Sequence, residues 1–147
     1  MNIKTEEELI AFGKRLGEVL EAHMVITLNG DLGAGKTTMT KGIGQGLGVK
    51  KIINSPTFTI LKVYEGRLPL YHFDAYRLEG TDDDLGFEEI FDDEGVCVIE
   101  WAEFIEEILP AERLEISIEK KDDNSRELQF VSKGRKYDKL LEELEIC

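Results

Sequence analysis

Nine consecutive residues constrain this chain more than any others: Gly30-Asp31-Leu32-Gly33-Ala34-Gly35-Lys36-Thr37-Thr38 completes the pattern G-x-x-x-x-G-K-T. Such a loop wraps its backbone around a phosphate with successive N–H groups turned inward, and side chains at the glycine places would block the approach. Lys36 then reaches the β- and γ-phosphates of a nucleotide, and Thr37, in the first helical turn, offers a hydroxyl to Mg²⁺. The positive end of the helix dipole faces the same phosphates. The pattern carries weight only between a strand and a helix, and the flanking residues supply both. Met24-Val25-Ile26-Thr27-Leu28 is an apolar run too brief for a helix and is closed by Asn29-Gly30, which predicts a buried strand. A helix is predicted from about Lys36 to Gly46; Gly42, Gly44, Gly46 and Gly48 weaken it intrinsically, so packing has to hold it.

The rest of the chain reads as one α/β domain of residues 1–147 with a mixed sheet, since roughly 150 residues is an ordinary domain length. Thr5 and Glu8 form a capping-box pattern, and Leu9, Phe12, Leu16, Val19 and Leu20 follow at helical spacing, so a first helix is predicted from about Thr5 to Glu21. Two β-rich stretches, Phe58 to Tyr64 and Leu68 to Asp74, flank Glu65-Gly66-Arg67 as a hairpin, and Val96 to Ile99 forms a further strand leading into Glu100. Thr81 caps a short acidic helix carrying Leu85, Ile90 and Phe91, and another helix starts near Ala102 and stops before Pro110. Leu114, Ile116 and Ile118 alternate, as do Leu128 and Phe130, giving a second hairpin. Tyr137, Leu140, Leu141 and Leu144 close the chain with an amphipathic helix.

Composition excludes several classes. No apolar run approaches the ~18 residues of a membrane span, and Met1-Asn2-Ile3-Lys4-Thr5 runs straight into three glutamates without the apolar core of a secretory leader. Two cysteines, Cys97 and Cys147, lack the number and spacing of a disulfide framework or a zinc site, so a reducing, cytoplasmic compartment is expected. The net charge of −13 is uneven: residues 79–147 hold 8 basic and 23 acidic side chains, and 14 carboxylates stand between Glu79 and Glu112 without one Lys or Arg. That half would repel a phosphate backbone; it reads either as a solvated face or as a docking surface for a basic partner.

A phosphate loop of this kind also needs an acid at the end of a neighbouring strand to hold the metal's water shell. Val96-Cys97-Val98-Ile99-Glu100 supplies Glu100, followed by Trp101 where many ATPases carry a second acid, so one carboxylate has to serve the metal. Glu100 could instead be a helix N-terminal acid. Asn54-Ser55-Pro56-Thr57-Phe58-Thr59 lies where nucleotide switches place a hydroxyl that senses the γ-phosphate, with a plain Ser-Pro turn as the alternative. His72 and Asp74 share one face of a strand. Asp74 could take or orient the proton of an attacking water, or bind Mg²⁺ through water; His72 reads equally as a packed histidine. Arg77 either pairs with Asp74 or contacts phosphate.

GDLGAGKTT, NSPTFT, HFDAYRL and the Glu-Trp of VIEWAE, in this order and spacing, resemble the TsaE family, small P-loop ATPases of bacterial tRNA threonylcarbamoyladenosine synthesis. The resemblance spans about Thr5 to Ile118 and is weak beyond Lys120. It implies a P-loop NTPase-like mixed β-sheet flanked by helices, with ATP bound along Asp31, Leu32, Gly33, Ala34, Gly35, Lys36, Thr37 and Thr38. It further implies Mg²⁺ attended by Thr37 and Glu100, Asp74 as catalytic acid, Thr57 in a switch-like loop, and a role as accessory ATPase to the TsaB–TsaD complex, with tRNA met only through that complex. Two rival classes remain weaker. A small-molecule kinase commonly closes a basic lid, yet the most insertion-like segment, 79–112, is acidic or apolar. In a switch GTPase, Asp83-x-x-Gly86 would follow an apolar strand, and an Asn-Lys-x-Asp would read guanine; the chain has neither.

Overall fold

Val25–Asn29 is the middle strand of a seven-stranded sheet, and its first four residues are buried, as an unbroken apolar run requires. The structure is a computed structural model that describes residues 1–31, 33–53, 61–75, 87–91 and 93–145. In chain order the elements are β1 (Asn2–Ile3), α1 (Glu6–Val19), β2 (Val25–Asn29), α2 (Lys36–Gly46), β3 (Leu61–Tyr64), β4 (Leu70–Asp74), α3 (Phe87–Phe91), β5 (Val96–Glu100), a 3₁₀ helix (Ala102–Ile108), β6 (Arg113–Lys120), β7 (Arg126–Lys133) and α4 (Arg135–Glu143). The strand order is β1-β7-β6-β2-β5-β4-β3. β2 runs parallel to β5 and β6, and β5 parallel to β4; the β3–β4 and β6–β7 hairpins and the β1–β7 pair are antiparallel. The expected mixed α/β sheet is therefore the observed one.

Strand alternation divides the core in two. Ile26, Leu28, Val98, Leu114 and Ile116 meet Leu9, Phe12 and Leu16 of α1, Met39 and Ile43 of α2, and Tyr137 and Leu140 of α4. On the opposite face Val25, Phe73, Cys97 and Ile99 meet Phe91, Ala102 and Ile105. The glycines that weaken α2 as an isolated helix are what let it pack. A Cβ on Gly17 would lie 2.2 Å from the Ile43 carbonyl oxygen, and one on Gly46 would lie 2.2 Å from that of Lys14. Gly13 and Gly42 repeat the arrangement one turn away, so α1 and α2 meet backbone against backbone.

The ends of α1 are both held. Thr5 Oγ1 accepts the Glu8 N–H at 3.1 Å, and the Glu8 carboxylate accepts the Lys4 N–H at 2.8 Å. The last turn carries no basic residue, and Arg67 of the β3–β4 turn supplies one from outside: its guanidinium donates to the carbonyls of Gly17 and Leu20, each at 2.9 Å.

Three differences from the sequence expectations have physical causes. The helix expected from Ala102 is a 3₁₀ helix, entered through Trp101 at φ 58° and kinked at Ile105; Ala102, Ile105 and Ile108 recur in strict threes, the period of that helix. α2 keeps its expected span of Lys36–Gly46, whereas the α1 ends and several strand limits shift by up to a few residues, β7 extending to Lys133 because β6 pairs with it throughout. β1, only two residues long, has no periodicity to detect and exists through its pairing with β7.

Candidate functional site

Between β2 and α2 the backbone turns through Gly33 at φ 82° and Gly35 at φ 118°, conformations in which a Cβ is strained. At Gly35 a Cβ would also lie 2.8 Å from Leu9 Cδ2 and 3.1 Å from Arg126 Nε. Gly35, the residue before α2, offers no side-chain cap, so the first N–H groups of the helix are open to an anion rather than satisfied within it.

Lys36, the first residue of α2, is buried. Its Nζ donates to the Gly30 carbonyl at 2.8 Å and sits 3.6 Å from the centre of the Trp101 ring. Burial lowers its pKa below the usual lysine value, while Glu100, Glu103, Asp74 and Asp31 pull it back up. One residue on, Thr37 Oγ1 donates to Glu100 Oε2 at 3.3 Å. The same carboxylate oxygen meets His72 Nε2 at 2.5 Å. His72 is fully buried, and its Nδ1 has no hydrogen-bond partner among the described residues.

The register explains the meeting. β4 and β5 are parallel with Asp74 opposite Glu100 and His72 opposite Val98, so the three polar side chains share the sheet face toward α2 at its carboxyl edge. Asp74 is half-buried there. Together with Lys36, Thr37, Thr38, Trp101 and Arg126, these two carboxylates line an open cavity of about 330 Å³. A larger opening of about 450 Å³ touches the loop at Asn29, Gly30 and Asp31 but runs along β6 and β7; it lacks Lys36, Thr37 and both strand-end acids, which only the smaller of the two cavities brings together. A hydroxyl and a carboxylate are hard oxygen donors suited to Mg²⁺, and among the described residues no group of three or more His, Cys, Asp or Glu side chains forms a closed cage.

Of the residues singled out in the sequence, Asp31, Gly33, Ala34, Gly35, Lys36, Thr37 and Thr38 lie on the loop and first turn, with Asp74 and Glu100 across from them. Leu32, Thr57 and Arg77 lie outside the described residues. Three features escaped the sequence: the Lys36–Trp101 contact, the His72–Glu100 bond and Arg126 beside the loop. The Glu-Trp pair and the His-x-Asp alternation were signals for the first two. Nothing local announces the third, because Arg126 follows the loop by 92 positions.

Among the described residues no helix is long and apolar enough to cross a membrane. The family described as threonylcarbamoyl adenosine biosynthesis protein TsaE matches residues 3–128. The tRNA threonylcarbamoyladenosine biosynthesis protein TsaE of Bacillus subtilis is 52% identical over 139 residues, covering 94% of this chain and 88% of that protein. The protein of the same name from Treponema pallidum is 43% identical over 127 residues, covering 85% and 94%. The crystal structure of Bacillus subtilis YdiB superposes with a TM-score of 0.87 at 44% identity, over 99% of this chain and 92% of that one. Sequence, fold and loop thus agree on one lineage, and the chain belongs to the TsaE family.

Proposed function

We propose that the chain is a single-domain, Mg²⁺-dependent ATPase that serves tRNA threonylcarbamoyladenosine modification, its hydrolysis coupled to the TsaB–TsaD complex. The observation that carries this reading is the convergence of Lys36 and Thr37, at the start of α2, with Glu100 and Asp74, at the ends of two parallel strands. Family membership supports the pathway. Loop N–H groups and Lys36 bind the β- and γ-phosphates. Thr37 and Glu100 hold Mg²⁺, which when bound draws charge from the phosphate oxygens. His72 keeps the Glu100 carboxylate turned toward Thr37. Asp74 orients a water for in-line attack and takes its proton as the new bond to the γ-phosphorus forms and the bond to the β–γ bridging oxygen breaks.

Hydrolysis by the isolated chain is expected to be slow, since a cation inserted as charge develops can be worth ~10³ to 10⁵ in rate and a partner would complete the site. The test is ATP turnover with and without purified TsaB–TsaD, with products analysed for ADP and phosphate. Stimulated release of inorganic phosphate with no phosphorylated acceptor is the expected result. Phosphate appearing only on an added small molecule would instead make the chain a kinase, and no stimulation would remove the partner.

A further inference from the structure

We propose that Arg126 binds the α-phosphate of the nucleotide, an assignment that rests on the ATPase reading above. The sheet order sets its position. β5 and β4, which carry Glu100 and Asp74, lie on one side of β2, whereas β6 and β7 lie on the other, so the loop after β2 is flanked by carboxylates on one side and by Arg126, the first residue of β7, on the other. Metal and γ-phosphate belong with the carboxylates. The opposite flank therefore receives the end of the polyphosphate nearest the ribose.

The side chain is set for that task. Arg126 Nε donates to the Ala34 carbonyl at 2.8 Å and Nη1 to the Asn124 carbonyl at 3.3 Å, which fixes the guanidinium against Gly35. Both acceptors are neutral. The ion pairs among the described residues do not include Arg126, although the chain carries a net charge of −13, and the residue lines the same cavity as Lys36, Thr37 and Thr38. Nη2 keeps both of its N–H bonds without a described acceptor. A cation held by neutral carbonyls beside a phosphate loop retains its full charge for an anion.

The test is calorimetric titration of wild type, Arg126→Ala, Arg126→Gln and Arg126→Lys with ATP and with ADP in the presence of Mg²⁺, alongside steady-state kinetics. The α-phosphate is common to both nucleotides, so Ala and Gln are expected to weaken ATP and ADP by the same factor, about 10- to 100-fold. Lys is expected to recover part of the loss. Gln can still donate to Ala34, so full affinity in Arg126→Gln would make the residue a mere brace and overturn the assignment. Weakening of ATP alone, or a fall in kcat at unchanged affinity, would also overturn it, because either places the guanidinium at the γ-phosphate. Wild type that binds neither nucleotide removes the ATPase reading as well; wild-type binding matched by all three variants removes Arg126 alone.

Discussion

Lys36 is a cation that the fold tolerates rather than needs. Its burial depresses its pKa, so the folded chain holds that proton less firmly than the unfolded chain, whose lysine titrates near the ordinary lysine value of 10.5. Folding is penalised at neutral pH, and the penalty fades as pH rises through the lowered pKa toward the unfolded one. Lys36→Met is therefore expected to lose ATP turnover while melting no lower than wild type, with any thermal advantage shrinking toward pH 10; differential scanning calorimetry across pH checks the sign. A variant that melts several degrees lower would show the ammonium to be structural. The two acids are expected to separate: Glu100→Gln should shift the Mg²⁺ concentration needed for ATP binding, whereas Asp74→Asn should slow hydrolysis with nucleotide still tightly bound. Identical binding losses in both would end that division of labour. Lys36 and Thr37 were legible because a loop motif is local, and Glu100 because an acid closes an apolar strand. The bond from His72 to Glu100 was not, since it depends on which strand lies beside which and in what register.

Among the elements, the α1–α2 pair makes the sharpest demand on sequence. Alanine is the better helix former by ~1 kcal/mol, so Gly17→Ala would stabilise α1 in isolation. In the fold its Cβ meets the Ile43 carbonyl, which is backbone and cannot turn aside. A net loss of about 2 kcal/mol in urea unfolding is expected. Gly44→Ala is the control: there the nearest atom, at 2.0 Å, is Ile53 Cδ1, the end of a side chain that can rotate, and the net effect is expected to stay within ~1 kcal/mol. Equal losses in the two variants would refute the backbone contact. The sequence showed that packing must hold α2 but not against what, because periodicity names a buried face without naming the face it meets. The 3₁₀ helix escaped for a related reason: apolar residues three apart suit either helix, and the turn from extended strand into left-handed backbone at Trp101 is invisible in residue types.

At the scale of the whole molecule, charge is unevenly divided along the chain. The segment 79–112 carries 14 carboxylates and no Lys or Arg, and Asp82, Asp83 and Asp84 within it are expected to steer a basic partner. Reversing those three charges should weaken TsaB–TsaD-stimulated turnover, most at low salt, and leave the basal rate unchanged. Equal stimulation of both proteins would remove the acidic docking role. The α/β class was readable from alternating strand and helix patterns, whereas the order of seven strands was not, since two hairpins can add to either edge of a parallel core. That order is what carries Arg67 to the end of α1 and Arg126 to the phosphate loop. The glycine seam between α1 and α2 has a further consequence. Side chains in an ordinary interface can re-pack and let two helices slip, but touching backbones leave no such slack, so α1 must travel with any tilt of the helix that bears Lys36 and Thr37. The two should behave as one slab: in native-state hydrogen exchange their amides should share a single opening free energy, and a ligand at the loop should slow exchange in α1, whose own residues barely reach the site.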